Sequence, residues 1–168
     1  MKLAFRLLFF LSITTSIVSC GFYSFSGISI AADIKTFQVD FFRNKAARVI
    51  PGIDQRFTNA LQDRIMNQTS LDLVNTDGQL IYEGEITRYM VVPTSNTSDQ
   101  TAALNRMTIG VQLRFTNTKD DKENLERSFS YFYDFDANQT EELVMEQALE
   151  TIYDQITQDI VTATLAKW

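Results

Sequence analysis

Two pairs of carboxylates have the spacing that acid–base chemistry would need. Glu83 and Glu85, like Asp134 and Asp136, are two residues apart in strand-like segments, which puts each pair on one face about 6–7 Å apart. Such a separation is compatible with glycoside hydrolysis. The chain has no histidine, the commonest general base. Because an ordinary solvated sheet face carries the same pairs, we expect no enzyme activity and no catalytic residue.

The sequence also offers little to bind a metal or a phosphate. Asp134-x-Asp136-x-Asn138 matches the first three ligands of a calcium loop, but Gln139 stands where that loop needs Gly and Met145 where it needs Glu. The six glycines are scattered and form no phosphate-binding loop. We therefore expect neither a metal nor a cofactor, and we interpret Asp136 and Asn138 as turn and capping residues.

The one cysteine, Cys20, has chemistry of a different kind. Lys2 and Arg6 give a positive start, and residues 7–18 form an apolar run broken only by small hydroxyl residues, as in a secretory signal peptide. Ile17-Val18-Ser19-Cys20 then resembles a bacterial lipobox, in which the thiol receives diacylglycerol before cleavage and the freed amine is acylated. This pattern predicts a covalent lipid at Cys20.

The lipobox also sets the expected boundaries of the mature chain. Only 13 residues separate Arg6 from Cys20, too few for a helix to cross a hydrocarbon core about 30 Å thick. We predict a signal peptide over residues 1–19, which is removed, a lipidated lead-in over residues 20–35 and a single α+β domain over residues 36–168. Several acyl chains on one residue would anchor this domain stably to a membrane.

The composition of the mature chain limits its partners. Cleavage after Ser19 removes two basic residues and no acidic ones, so 13 basic against 21 acidic residues remain and the net charge is −8. Such an acidic domain is a poor ligand for nucleic acid. With 45% hydrophobic residues and 13 Phe, the chain can build a core.

Apolar periodicity predicts the first half of the fold. Residues 36–42 alternate as a half-buried strand with Phe37, Val39 and Phe41 inward. A helix is expected after Pro51-Gly52, since apolar residues then follow at helical spacing: Ile53, Phe57, Leu61, Ile65 and Met66. Residues 71–74 read as a short strand, and Asp77-Gly78 favours a type I′ hairpin turn.

The second half reads as a meander followed by a long helix. We predict strands over residues 79–90, 106–116 and 125–135, with a flexible polar loop over residues 93–103. A helix over residues 140–166 has Asn138 as its expected N-cap. Its apolar stripe is Met145, Leu149, Ile152, Ile156, Ile160 and Ala163.

These elements predict an α+β fold in the order β-α-β-β-β-β-α. The simplest packing is a two-layer sandwich, with both helices on one face of a four- to five-stranded, mainly antiparallel sheet. The opposite face should be polar and solvated. On it we expect Arg88, Arg106 and Arg114, either as an anion-binding group or as charges balanced by Glu83 and Glu85.

Seven segments resemble one family along the whole mature chain, the lipopolysaccharide-assembly lipoprotein family LptE. They are Cys20–Gly27, Thr36–Phe42, Asn67–Asn75, Glu83–Thr87, Asn105–Ile109, Phe115–Lys119 and Ala166–Trp168. The resemblance implies a non-catalytic outer-membrane lipoprotein. Gly21, in place of the Asp that retains lipoproteins at the inner membrane, agrees with that location.

The resemblance also implies a partner, the large outer-membrane β-barrel LptD. Family members plug this barrel, assist its assembly and help deliver lipopolysaccharide to the outer leaflet, so the domain would lie on the periplasmic side or within the barrel lumen. The alternative is a stand-alone lipid-anchored periplasmic module that binds a ligand, which would need an apolar pocket between sheet and helices.

Candidate contact residues follow from the same resemblance. Basic side chains that would contact lipopolysaccharide phosphates are Arg88, Arg106, Arg114, Lys119 and Lys122. The polar loop is the candidate contact with the barrel, through Thr94, Ser95, Asn96, Thr97, Ser98, Asp99 and Gln100. The turn over residues 118–124 is a further candidate, and a plain solvent-exposed connection is the alternative for both segments.

Overall fold

Two helices and six strands form the part of the chain that the computed structural model describes, which is residue 28, residues 30–94 and residues 103–166. In chain order they are β1 (Thr36–Val39), β2 (Arg43–Asn44), α1 (Ile53–Gln68), β3 (Asp72–Leu73), β4 (Leu80–Thr94), β5 (Leu104–Asn117), a 3-10 turn (Asp121–Glu123), β6 (Leu125–Asp136) and α2 (Glu141–Leu165). Both helices contact the sheet and each other. The two-layer α+β prediction is confirmed, with β2 as an additional strand.

The sheet is mixed, in the order β3-β1-β4-β5-β6 with β2 also pairing with β4. Strands β4, β5 and β6 form an antiparallel meander, whereas β1 runs parallel to both β3 and β4. The predicted hairpin at Asp77-Gly78 is therefore wrong, because β1 lies between the two strands that it would join. A Cβ atom on Gly78 would lie 2.6 Å from the Cβ of Gln38. This glycine is needed because the connection passes directly against β1.

The inner face of the sheet follows the predicted alternation. The inward residues of β5 are all buried: Met107, Ile109, Val111, Leu113 and Phe115. In β4 the phase changes at a bulge between Ile86 and Arg88, after which Tyr89 points inward. A bulge adds one residue to one strand, so strict alternation from Leu80 fails beyond Ile86.

Three predicted core positions are exposed. Strand β1 ends at Val39, so the alternation stops there: Phe41 faces solvent and Phe42 is buried. The Phe42 N–H donates to Thr58 Oγ1 at 3.1 Å. Met66 lies off the buried stripe of α1. On α2, Ala163 is exposed while its neighbours in sequence at positions 161 and 165 are buried.

The N-terminus of α2 also differs from the prediction. The backbone N–H of Asn138 donates to Asp136 Oδ1 at 2.8 Å, which closes a turn ahead of the helix. Thr140 takes the N-cap position, and its side chain makes no capping hydrogen bond. Asn138 is thus a turn residue and not the cap.

Aromatic contacts join the two helices to the sheet. The Phe57 ring meets the rings of Phe42 and Tyr153 edge-on, with centroid distances of 5.2 and 5.3 Å. The Tyr153 hydroxyl donates to the carbonyl of Ile53 at 2.9 Å. Burial raises the pKa of Tyr153, and burial likewise raises that of Tyr82 beneath α2.

Candidate functional site

The helices cover one face of the sheet and leave the outward side chains of β4, β5 and β6 uncovered within the described residues. We call this surface the open face. Register places Val92, Arg106 and Asp134 in one row across it, and Met90, Thr108 and Phe132 in the next. Both rows lie at the end where β4 leads into residues 95–102. The opposite end carries the row Glu83, Arg114 and Glu126.

One end of the open face combines exposed apolar side chains with a fixed ion pair. We call Met90, Val92, Arg106, Phe132 and Asp134 the distal patch. Met90, Val92 and Phe132 are 41%, 39% and 41% exposed. Neighbouring exposed apolar side chains are unusual on a sheet face that contacts water. Contiguous apolar surface of this kind commonly marks an interaction site.

Arg106 is the centre of the distal patch. Its Nε and Nη2 atoms donate to Asp134 Oδ1 and Oδ2 at 2.7 and 2.8 Å. Its guanidinium carbon lies 3.7 Å from the centre of the Phe132 ring. The hydrogen bond to Asp134 raises the pKa of Arg106 further above its usual value. A bidentate pair stacked on an aromatic ring holds the arginine in one orientation.

The other end of the open face is polar and carries an excess of acid. Arg114 lies 3.6 Å from Glu83 and 4.0 Å from Glu126, and Glu85 is exposed. Pairs as exposed as these contribute little to stability. Asp134 is bound to Arg106 and Asp136 accepts the Asn138 N–H, so both carboxylates of this second pair have structural partners.

The predicted basic residues do not form a single cluster. Arg88 is exposed in the middle of the open face opposite Gly110, with no hydrogen-bond or ion-pair partner among the described residues. Arg106 and Arg114 are eight residues apart on β5, or about 27 Å. Lys119 and Lys122 lie in the turn after β5, beyond the Arg114 end.

Several candidate residues lie outside the described part of the chain. Thr94 is described and ends β4, paired with Leu104. Ser95, Asn96, Thr97, Ser98, Asp99 and Gln100 lie outside the described residues, as does Cys20. The contact roles predicted for these positions remain predictions.

A cluster that the sequence did not reveal supports the distal patch from the inner side. The Tyr89 hydroxyl donates to Glu141 Oε1 at 2.5 Å, and Arg48 donates to Glu141 Oε2 at 2.6 Å. Burial, with the hydrogen bond to Glu141, raises the pKa of Tyr89. Tyr89 precedes Met90, so this cluster fixes the strand that carries the patch. The bulge hides Tyr89 from any search based on alternation.

One concave surface among the described residues is polar and lies away from the sheet. A cleft of about 700 Å³ lies on the outside of the fold between α1 and α2, and the pairs Arg56–Glu146 and Arg64–Asp154 line it. The space between sheet and helices is filled by fully buried side chains, among them Phe37, Tyr82 and Ile109. In the centre of the described fold, core side chains thus occupy the space in which a ligand-binding module would need an apolar pocket; a groove of about 550 Å³ remains at the side, between β6 and the C-terminal part of α2.

Neither helix in residues 30–94 and 103–166 has the length and apolar character needed to span a membrane. No group of three or more acidic residues in the same ranges is arranged to hold a metal ion.

Comparison with known proteins gives one family. The sequence profile described as "LptE: Lipopolysaccharide-assembly" matches residues 34–164. No curated protein matches the chain.

Solved structures share the fold at low sequence identity. PelC from Paraburkholderia phytofirmans, solved as a dodecamer, is 7% identical, with 83% of this chain and 95% of that chain covered and a TM-score of 0.50. The hypothetical protein CT253 from Chlamydia trachomatis is 8% identical, with 80% and 99% covered and a TM-score of 0.50. Rare lipoprotein B from Shewanella oneidensis is 12% identical, with 74% and 94% covered and a TM-score of 0.43. At these identities the likeness concerns the fold alone.

Proposed function

Because the chain belongs to the LptE lipopolysaccharide-assembly family, we propose that it is a non-catalytic lipoprotein of the outer membrane. It is acylated at Cys20, forms a complex with an LptD-like β-barrel and plugs its lumen. In this complex it supports assembly of the barrel and transport of lipopolysaccharide to the outer leaflet.

The observation that carries the proposal is the open face with its distal patch. A two-layer fold that exposes Met90, Val92 and Phe132 on one face loses hydrophobic free energy unless a partner covers them. Aromatic residues, Met and Arg are the side chains enriched in protein interfaces. The remainder of the face is polar, which suits the polar interior of an outer-membrane barrel.

The position of the anchor supports the same arrangement. Ile28 pairs with Ala166 at the C-terminal end of α2, and Cys20 precedes it by eight residues, a reach of at most about 29 Å. The distal patch lies near the other end of α2, which is 25 residues or about 37 Å long. A lipid at Cys20 would therefore tether the end of the fold opposite the patch.

Of the three arginines on the open face, Arg88 is the one available for direct contact with lipopolysaccharide. Arg106 and Arg114 have carboxylate partners, whereas Arg88 is exposed and has none among the described residues. A free guanidinium can form charge-assisted bonds with phosphate. The net charge of −8 left after signal removal opposes long-range attraction of an anionic lipid, so such a contact would form within the complex.

Charge insertion into the distal patch tests this function. We expect Val92→Glu and Phe132→Glu to lower the barrel that co-purifies with the lipoprotein at least tenfold, because each would place a carboxylate in the covered surface. Met66→Glu is the matched control, since Met66 is as exposed as Phe132 but lies on α1. Undiminished co-purification of the barrel with both patch variants would contradict the proposed interface.

A further inference from the structure

Strand β6 lies at the edge of the sheet, and no described strand other than β5 pairs with it. It pairs with β5 in unbroken register from Leu125 to Asp136, so no bulge bends its free edge away. The strand also contains no proline. Edge strands are commonly blunted by bulges, prolines or charges, because a straight free edge can pair with another strand. The outer edge of β6 therefore keeps the geometry that accepts a further strand.

Charge protects only the first part of this edge. On the helix-facing side of the strand, Arg127 lines the groove of about 550 Å³ together with Asp159 of α2. The helix-facing residues that follow it are all aromatic: Phe129, Tyr131, Tyr133 and Phe135. The two phenylalanines are buried and the two tyrosines are partly exposed. Inward-pointing charge discourages edge pairing, and the aromatic segment has no such protection.

The outward side of β6 is self-complementary about Phe132. Ser128 and Ser130 precede this residue, and Asp134 and Asp136 follow it at the same spacing. Antiparallel pairing of two copies centred on Phe132 therefore sets each serine opposite an aspartate. A serine hydroxyl donates readily to a carboxylate, which has about four acceptor sites, so Asp134 can accept such a bond and keep its ion pair.

Other two-fold registers of β6 are less favourable. Centring the pair on Ser130 sets Glu126 opposite Asp134, and centring it on Tyr131 sets Glu126 opposite Asp136. Like charges directly opposite each other are destabilising. A centre earlier in the strand would cover the inward-facing arginine, which would then lose its hydration. A centre later in the strand would shorten the paired segment.

We propose that two copies of this chain pair antiparallel through β6, with the two-fold axis at Phe132. The sheets of the two copies then continue through the interface, and Phe132 lies opposite its own copy on the open face. The helix-facing pairs are Tyr131 with Tyr133 and Phe129 with Phe135. Cross-strand aromatic pairs of this kind stabilise antiparallel sheets.

The dimer and a partner bound at the distal patch would exclude each other, because both cover Phe132. The dimer is thus a form in which this exposed ring is covered before a partner binds, and excess partner would dissociate it. Pairing requires only β6 of each copy. The inference therefore does not rest on the proposed function, and either one can fail without the other.

Disulfide trapping tests the two-fold register in the full chain, produced in excess in its native membrane. Phe132→Cys places a thiol opposite its own copy, so a mild oxidant should form an intermolecular disulfide. Ser130→Cys and Ser128→Cys are matched controls on the same side of the strand. The two copies of residue 130 would lie about 14 Å apart along the strand, too far for a disulfide. With mass spectrometry to identify the linked peptides, we expect at least tenfold less disulfide in both controls.

Three results of this experiment would overturn the proposal. One is an equal yield from the three positions, which would indicate random collisions. Another is trapping that is strongest with Ser130→Cys, which would assign a different register. The third is no intermolecular disulfide with Phe132→Cys, which would mean that something other than a second copy covers the edge.

Charge at Ser130 gives a second test that leaves every aromatic residue of β6 in place. In the proposed register, Ser130→Asp would lie opposite Asp134 of the other copy twice in each dimer, so the Kd for dimerisation should rise about tenfold. Ser130→Lys is the matched control, since it would face the same carboxylate with the opposite charge and should not raise the Kd. Sedimentation velocity of the purified full chain in detergent measures both. Equal weakening by the two variants, or an unchanged Kd with Ser130→Asp, would contradict the proposed pairing.

Discussion

Gly84 is the residue on which the packing of the N-terminal strands depends most directly. A Cβ atom there would lie 2.2 Å from the carbonyl oxygen of Gln112 and 2.5 Å from the ring of Phe42. The buried Phe42 ring therefore packs directly against the backbone of β4, in the space that a side chain would fill. Glycine at this position is a packing requirement and not a turn signal.

Replacement of Gly84 should be costly. We expect Gly84→Ala to lower the free energy of unfolding by at least about 3 kcal/mol, the upper end of typical overpacking costs. Gly110→Ala is the control, since its nearest neighbour would be the Cβ of Arg88 at 3.1 Å, and we expect about 1 kcal/mol. Chemical denaturation measures both, and equal losses would refute the account of Phe42 packing.

Three buried tyrosines should make the fold sensitive to alkali. Burial raises the pKa values of Tyr82, Tyr89 and Tyr153 above the usual 10. Above pH 10 the unfolded chain releases these protons before the folded chain does, so stability falls as pH rises. Three protons correspond to a slope of about 4 kcal/mol per pH unit.

Removal of one of these hydroxyl groups isolates its share of the alkali effect. Tyr89→Phe should reduce the slope, by at most about a third. Urea unfolding between pH 9 and 11.5 provides the measurement. A stability that stays constant over this range, or a slope that Tyr89→Phe leaves unaltered, would contradict the assignment.

At the scale of elements, sequence periodicity predicts which segments form strands and helices. It does not predict which strands pair when they are far apart in the sequence. The strands β5 and β6 and both helices follow from alternation and helical spacing. Insertion of β1 between β3 and β4 does not, because parallel pairing over 36 and 43 residues leaves no mark near Asp77-Gly78. The same distinction applies to the candidate site: its residues can be predicted from the sequence, but their contacts across strands cannot.

For the candidate site, the sequence puts Arg106 and Asp134 on a polar face but gives no cross-strand register. Their bidentate pair and its contact with Phe132 follow only from the pairing of β5 with β6. Tyr89 is missed because the bulge reverses the phase of β4. Register and bulges depend on tertiary contacts, and single-strand patterns do not carry them.

Helix α1 offers a direct test of the predicted stripe. Phe57 is fully buried between Phe42 and Tyr153, so we expect Phe57→Ala to cost about 3–5 kcal/mol. Met66, predicted to lie on the same stripe but largely exposed, should cost less than about 1 kcal/mol when changed to Ala. The midpoints of denaturant unfolding, compared at constant m-value, measure both changes in the free energy of unfolding. Similar losses of stability in the two variants would mean that α1 packs differently.

At the scale of the whole molecule, the two ends of the described fold differ in structure. At one end Ile28 pairs with Ala166, which follows the last residue of α2. The distal patch and the junction with residues 95–102 lie at the other end. Helices on a single face leave the opposite face of the sheet open, so the architecture presents one surface, and the lipid that we propose at Cys20 would tether the opposite end.

The most direct measurement of the central proposal is the composition of the complex isolated from membranes. Gentle solubilisation, chemical crosslinking and purification through a C-terminal affinity tag would be followed by mass spectrometry of the products. The proposed function predicts one large outer-membrane β-barrel in near-equal amount, crosslinked to the open face. Recovery of the lipoprotein alone, or with many substoichiometric partners, would contradict it.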